Sequence, residues 1–232
     1  MQNFRDLFLD TLIAEIAGTA SQAPRLKTSV SRAQKPVAIA NPLNLVLPQS
    51  IIDLYAQAAD IAVLWEIDET EENIRIFEEN KFLKDRYFSQ DYSWGVVKDL
   101  LTGFINISHA KQIFNPKFNQ TQAHTYAMGN KLKDIQNYFA FDVQSGITAC
   151  LKSENGLVAD NVWLIHTDAF QLYDMKIGVA DYLNLAYQSK CIHHWQLAYL
   201  FKTKAETTAI MNQILPVLFP HLGLDLTKFN QK

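Results

Sequence analysis

The chain has 232 residues, 48% of them hydrophobic, a length at which one large domain or two small ones can bury a core without disulfides or a metal. Its net charge of -3 and its pI near 6.1 exclude the basic stripe of a dedicated nucleic-acid binder. Its two cysteines, Cys150 and Cys191, are far apart and belong to no C-x-x-C pair, which excludes a disulfide framework and indicates reduced thiols in a cytoplasmic protein.

The N-terminal residues 3–17 carry apolar side chains at intervals of three and four, which predicts an amphipathic helix. Three acidic residues, Asp6, Asp10 and Glu15, interrupt the apolar stretch, and no basic segment precedes it, so it fits neither a signal peptide nor a membrane span. Residues 19–42 are rich in Ser, Thr, Gln, Ala and Pro and have no period, which is typical of an irregular exposed linker. We therefore expect a soluble protein that does not bind membranes.

A helix and two strands are predicted in the next part of the chain. Pro48 suits the first turn of a helix, and an apolar stripe extends that helix to about Asp60. Residues 62–67 and 103–107 are short runs rich in β-forming side chains, and each predicts a strand. Residues 71–101 mix charges with apolar side chains and indicate mixed structure.

The clearest strand signals follow in the second half. A Gly-containing turn joins two apolar runs into a predicted hairpin, and a further turn leads to a third strand. Helical periodicity then returns and continues until Pro216. The predicted strands are residues 138–143, 147–151 and 162–166, and the predicted helices are residues 177–188, 194–201 and 205–215.

This order of elements predicts an α+β fold, in which a central, largely antiparallel sheet is flanked by helices and preceded by an N-terminal helix and an irregular linker. We expect Trp65 and Trp163 to be largely buried on that sheet, because each stands in a short β-forming run. The expected divisions are an N-terminal helix and linker at residues 1–44, an α+β domain at 45–204 and a helical extension at 205–232.

Motifs that bring catalytic groups together at fixed spacing do not occur in the sequence. It contains no glycine-rich phosphate loop, no zincin helix and no nucleophile elbow. Cys191, His193 and His194 are close in sequence, but adjacent histidines point in different directions and a metal needs three or four converging ligands. We therefore expect no catalytic residues, no metal and no cofactor, and the residues favour a non-enzymatic binding protein.

The charge distribution offers a candidate partner-binding surface. Nine acidic residues stand against four basic ones in residues 66–91, an excess larger than the net charge of the whole chain. Such a run is either a solvated face or a patch that attracts a basic partner. The candidate residues are the acidic Glu66, Asp68, Glu69, Glu71 and Glu72, with the aromatic Tyr87, Tyr92 and Trp94 as a second group.

Several short motifs occur in an order that is known from a protein family. They are Leu47-Pro48, Leu54-Tyr55 and Leu64-Trp65-Glu66, followed by Tyr138-Phe139-Ala140-Phe141-Asp142, Ser145-Gly146, Val162-Trp163-Leu164-Ile165-His166 and Asp181-Tyr182-Leu183. Over roughly residues 45–190 the chain resembles the SUKH superfamily domain. The resemblance implies an α+β fold with a central sheet flanked by helices. It also implies an immunity function against delivered toxins, exerted through variable surfaces and without catalytic residues.

The leading hypothesis is therefore a cytoplasmic immunity protein that neutralises a bacterial toxin by direct protein binding. The partner is expected to be a toxin domain with a basic surface, without direct contact to nucleic acid. Two alternatives stay open: a housekeeping regulatory or scaffold module of the same fold, and an unrecognised hydrolase.

Overall fold

The structure is a computed structural model that describes residues 3–18, 26–79, 81, 84, 101–117, 135–201 and 210–229. Its strands form a seven-stranded sheet whose spatial order follows the chain order. Four successive pairings, from β3 to β7, are antiparallel. The strands are β1 (Leu26–Ala33), β2 (Ile61–Ile67), β3 (Gly103–Ile107), β4 (Tyr138–Gln144), β5 (Ile147–Glu154), β6 (Leu157–His166) and β7 (Gln171–Asp174).

Helices precede, interrupt and follow these strands, so the predicted α+β class is confirmed. The N-terminal helix α1 is continuous through the segments Phe4–Asp6, Leu7–Leu12 and Ile13–Ala17, the middle one with π-helical hydrogen bonding. None of the helices in the described ranges combines the length and the hydropathy that a membrane crossing requires. The other α-helices of the described residues are α2 (Gln49–Gln57), α3 (Glu71–Glu79), α4 (Val179–Gln188), α5 (Trp195–Leu200) and α6 (Leu215–Leu218).

The two outermost strands are the ones that the sequence pattern does not predict. β1 lies inside the segment interpreted as an irregular linker, and most of its side chains are at least partly exposed. β7 has four residues, and none of their side chains is buried. An edge strand with both faces partly solvated has no alternation of apolar and polar side chains, so its sequence resembles that of a loop.

Helix ends also differ from the prediction at two places. α2 ends at Gln57 rather than near Asp60, because Ala58 already has extended backbone angles. At the C-terminus, Pro216 was expected to end the last helix, yet helical structure continues through it. Pro216 stands in one of the first two positions of α6, which directly follows the π-helical segment Ile210–Ile214. Proline's fixed φ is a helical value, so Pro216 does not by itself end the helix.

The chain folds into two compact units that interleave in sequence. The first contains Met1–Leu7, Arg32–Ala62 and Ile105–Leu185, and the second contains Phe8–Ser31, Val63–Phe104 and Ala186–Lys232. In the first unit, the β4–β5 hairpin pairs Gln144 with Ile147 across its turn. The division into 1–44, 45–204 and 205–232 stays a prediction.

Each unit has buried aromatic and aliphatic side chains of its own. In the first unit, Phe141 packs edge-to-face on Tyr182, with ring centroids 5.1 Å apart. In the second unit, Trp195 and Phe229 are fully buried with ring centroids 6.5 Å apart. One cluster of the first unit contains the core residues Ile135, Tyr138, Ala140, Cys150 and Ile165.

Candidate functional site

The structure describes the five acidic residues of the predicted partner surface, which we call the acidic surface: Glu66, Asp68, Glu69, Glu71 and Glu72. Lys27 on β1 reaches two of them, with its Nζ 3.3 Å from Glu66 Oε1 and 3.7 Å from Asp68 Oδ1. Ser29 Oγ also donates to Glu66 Oε1, at 2.8 Å. The hydrogen bond to Glu66 and the negative charge of Glu66 and Asp68 raise the pKa of Lys27. β1 therefore neutralises part of the acidic surface.

The remaining members of the acidic surface surround the start of α3. Thr70 caps this helix, because its Oγ1 accepts the backbone N–H of Asn73 at 3.1 Å. Glu71 and Glu72 stand in the first turn, where a carboxylate stabilises the helix by opposing its dipole. Glu69 precedes the helix, and all three carboxylates are exposed. Stabilisation of the helix thus explains why acidic residues stand at positions 71 and 72, whereas Glu69 lies outside the helix.

The aromatic part of the predicted surface, Tyr87, Tyr92 and Trp94, lies outside the described residues. Its assignment to a partner surface stays a prediction. Among the described residues, the predicted partner surface therefore consists of the acidic group. Lys27 of the neighbouring strand pairs with two of its five members.

A second surface, which the sequence reasoning missed, surrounds the β5–β6 turn. Asn155 and Gly156 make this turn with φ angles of 52° and 79°, the left-handed conformation that a two-residue hairpin requires. Val46 lies beside the turn as an isolated bridge parallel to Leu157. Its N–H donates to Gly156 O at 2.8 Å, and its carbonyl accepts the N–H of Val158 at 2.9 Å. These bonds hold two aliphatic side chains next to each other at the protein surface.

A groove of about 610 Å³ opens at this position, and we call it the apolar groove. Val46 is 61% exposed and Leu157 is 55% exposed, the two largest values among the exposed large hydrophobic side chains of the described residues. Adjacent exposed aliphatic side chains at a concave site are typical of a binding surface. The lining residues are Val46, Leu47, Pro48, Lys152, Glu154, Asn155, Leu157, Val158, Ala159, Asn161 and Trp163.

Trp163 on β6 forms an aromatic wall of the apolar groove. Its ring contacts Tyr138 edge-to-face, with centroids 5.6 Å apart. Lys152 Nζ lies 5.6 Å from the centroid of Trp163 and 5.9 Å from that of Tyr138, and it forms an ion pair with Glu154. The ammonium group over two aromatic faces and its carboxylate partner give the groove a charged rim beside an apolar lining.

The two predicted tryptophans differ in how completely they are covered. Trp65 is fully buried on β2, as predicted. Trp163 lies on the same sheet and packs against the core cluster of the first unit, but part of it stays exposed where it lines the apolar groove. The flanking apolar residues of both tryptophans follow the same pattern, so the sequence does not distinguish a core ring from a groove ring.

Weak sequence signals mark the apolar groove in retrospect. Leu157 follows the turn dipeptide Asn155-Gly156 directly, and Val46 stands between Pro42 and Pro48. Each is unremarkable by itself, since single exposed apolar residues are common on protein surfaces. Their significance depends on the bridge that joins them.

The first unit also contains a buried carboxylate. Asp142 on β4 is fully buried, and it accepts hydrogen bonds from the N–H of Asn106 at 2.8 Å, from Gln144 Nε2 at 2.9 Å and from Tyr182 Oη at 2.7 Å. Burial raises the pKa of Asp142, and these three hydrogen bonds oppose that shift. Because its partners come from β3, β4 and α4, Asp142 fastens a helix to two strands.

Comparison of the sequence with protein-family models and with curated proteins gives no match, and comparison of the structure with solved structures gives none either. The two surfaces are therefore interpreted from their own geometry and chemistry.

Proposed function

We propose that this protein is a protein-binding module that acts as an immunity protein, and that it neutralises a toxin domain by direct contact through the apolar groove. The observation that carries the proposal is the pair of exposed side chains, Val46 and Leu157, at the mouth of a concave apolar surface. The resemblance of residues 45–190 to the SUKH superfamily adds the class of partner. The proposal assigns the protein to the cytoplasm and gives it no catalytic role.

The size of the apolar groove suits an anchoring side chain of a protein partner. Its volume of about 610 Å³ lies within the usual range of binding pockets. Burying one exposed Val or Leu side chain stabilises a complex by about 1.5–3 kcal/mol. The ion pair of Lys152 and Glu154 and the amides of Asn155 and Asn161 provide the polar rim that protein interfaces place around an apolar centre.

The acidic surface has a separate role in this proposal. A toxin that cleaves nucleic acid presents a basic face to phosphate, so exposed carboxylates on its inhibitor attract it over a distance. Complementary charge mainly raises the association rate. Because Lys27 neutralises part of the surface, the attraction comes chiefly from the carboxylates that Lys27 does not contact, among them the exposed Glu69 and Glu71.

The test is co-expression with the polypeptide encoded by the gene immediately upstream. We expect that polypeptide to stop bacterial growth when it is expressed alone, and we expect the full-length protein to restore growth. The variant Val46→Asp/Leu157→Asp places two charges at the mouth of the groove and is expected to abolish protection. Val30→Asp is the matched control, since Val30 is 37% exposed and does not line the groove.

Purified proteins then separate binding from folding. The double variant should keep the circular dichroism spectrum and the unfolding midpoint of the parent, because exposed substitutions change stability by under about 0.5 kcal/mol each. It should bind the toxin at least tenfold more weakly. Parental affinity in the double variant, or equal protection by both variants, would contradict the role of the apolar groove. A neighbouring polypeptide that does not inhibit growth would contradict the immunity function itself.

A further inference from the structure

A second concave site in the first unit differs from the apolar groove in its chemistry. It has a volume of about 280 Å³, and we call it the polar pocket. None of its lining residues lines the apolar groove, so it does not depend on the proposed function. The lining residues are Arg32, Gln34, Asp60, Asn106, Ile107, Ser108, His109 and Gln112, of which Ile107 alone is apolar.

Hydrogen bonds between three chain segments hold the walls of the polar pocket. The N–H of Ala59 donates to Gln34 O at 3.0 Å, and the N–H of Ala110 donates to Ala59 O at 2.7 Å. The hydroxyl of buried Tyr55 donates to Ser108 O at 2.7 Å. Hydrogen bonds thus fix the backbone of the lining residues, so the pocket is formed without a ligand.

Asp60 is a buried carboxylate whose hydrogen bonds lie within the wall. It is 3% exposed. Its Oδ1 accepts the N–H of Gln34, and its Oδ2 accepts Gln34 Nε2, both at 2.9 Å. Arg32 Nε lies 3.4 Å from Oδ2. The carboxylate of Asp60 is thus bonded to groups of the pocket wall. Its contact with Arg32 Nε orients the guanidinium group.

Three of the lining side chains offer hydrogen-bond donors to a ligand. The ion pair with Asp60 uses Arg32 Nε and leaves the two terminal nitrogens of the guanidinium outside that contact. His109 Nδ1 accepts the N–H of Lys111 at 3.1 Å, so the neutral ring carries its proton on Nε2 and donates from there. Ser108 adds a hydroxyl to the same lining. An arginine fork beside two further donors matches the oxygens of a phosphate or carboxylate group.

We infer that the polar pocket binds a small oxyanion, a phosphate or carboxylate group carried by a small polar molecule, with Arg32, His109 and Ser108 as its donors. The near absence of apolar lining disfavours aromatic and aliphatic ligands, since these need apolar surface to cover them. Asp60 is a positioning residue that holds the guanidinium of Arg32.

The experiment is a titration of the isotope-labelled full-length protein with sodium phosphate, followed by nuclear magnetic resonance of the backbone amides at constant ionic strength. Saturable shifts at Ser108 and His109 are expected, with a Kd on the order of 1 mM or lower. A parallel titration with sodium acetate distinguishes the two kinds of oxyanion. Saturation by phosphate alone assigns a phosphate group, and saturation by acetate alone assigns a carboxylate. Straight, non-saturating titrations with both salts would overturn the inference.

Variants tie the binding to the named donors. Arg32→Gln should weaken binding at least tenfold, and Arg32→Lys should restore only part of it, because lysine keeps the charge and lacks the fork. Ser108→Ala leaves the bonds of Asp60 intact, so it tests the site even if Arg32→Gln proves unstable, and a severalfold loss is expected. Arg75→Gln, at an exposed arginine outside the pocket, is the matched control. Equal affinity in Ser108→Ala, Arg32→Gln and the parent would refute the assignment.

Discussion

Trp65 and Trp163 occupy the same kind of position on two strands of one sheet, and their rings have different surroundings. Trp65 is fully buried, donates from Nε1 to Lys190 O at 2.6 Å and packs edge-to-face on Phe219 at 5.5 Å. Trp163 is partly exposed: its ring packs edge-to-face on Tyr138 and also lines the apolar groove. The first ring has its polar atom satisfied and its faces covered, whereas the second presents apolar surface to a ligand.

The difference assigns separate tasks to the two regions. A ring that is covered within its own unit contributes its burial to the stability of the fold. A partly exposed ring still has apolar surface in contact with water. Covering that surface stabilises a complex when a partner binds. Substitutions around Trp65 should therefore change unfolding most, and substitutions around Trp163 should change binding most.

The largest expected effect tests this contrast directly. Trp65→Ala should lower the free energy of unfolding by about 3–5 kcal/mol, because it removes a fully buried ring and leaves a cavity. Trp163→Ala should lower it by less, since part of that side chain is already in water. Urea unfolding of both variants measures the pair. Equal losses would show that the apolar groove contributes to the core and would remove the distinction.

The next prediction concerns the space beside Trp65. A Cβ added at Gly103 would lie 2.0 Å from Trp65 Nε1 and 2.1 Å from its Cε2, so one of the two residues must shift. Gly103→Ala should lower the free energy of unfolding by about 1–3 kcal/mol through overpacking.

A double-mutant cycle identifies the cause of that loss. A leucine side chain ends at Cδ and has no atoms where Nε1 and Cε2 of the indole lie, so Gly103→Ala should cost less in a Trp65→Leu background than in the parent. Chemical unfolding of the two single variants and the double variant gives the coupling free energy. Strict additivity would mean that backbone preference at Gly103, and not contact with the ring, causes the loss.

The next prediction concerns the pH dependence of stability that the buried carboxylate of Asp142 causes. Its pKa is raised in the folded protein above the ordinary 3.8, so between these two values the folded state binds more protons than the unfolded state. The free energy of unfolding contributed by this group therefore falls as pH rises through that window. Asp142→Asn should flatten this decline, because an amide does not titrate. Thermal melts of parent and variant from pH 4 upward measure the slope, and parallel curves would contradict the assignment.

The smallest expected effect on stability belongs to the acidic surface. Glu69→Lys should change the free energy of unfolding by under about 0.5 kcal/mol, because the residue is exposed and precedes α3. Glu71→Lys should lower the free energy of unfolding by about 0.3–1 kcal/mol, since it places a positive charge in the first turn of the helix. Urea unfolding measures both changes.

The triple variant Glu69→Lys/Glu71→Lys/Glu72→Lys should slow toxin association severalfold at low salt and less at physiological ionic strength. Stopped-flow mixing measures this rate, and a parental rate at low salt would leave these carboxylates with a local role alone.

The central strands and the edge strands of the sheet differ in whether the sequence pattern predicts them. Gly103–Ile107 and the β4–β5 hairpin were predicted because most of their residues are buried, so their sequences are rich in apolar and β-forming side chains. β1 and β7 were missed because their side chains are mostly solvated and carry no apolar period. The acidic surface was predicted from the charges of neighbouring residues, and Lys27 on the missed strand β1 neutralises part of it.

The sequence by itself determined the α+β class, the central strands and the burial of Trp65, because local propensity and apolar spacing are properties of neighbouring residues. Only the tertiary structure decided that Trp163 borders a groove and that Val46 meets Leu157 beside it. It alone placed Arg32 against Asp60 in the wall of a polar pocket. Exposure, charge pairing and concavity depend on which distant segments cover a residue, and that information is absent from any local stretch of the chain.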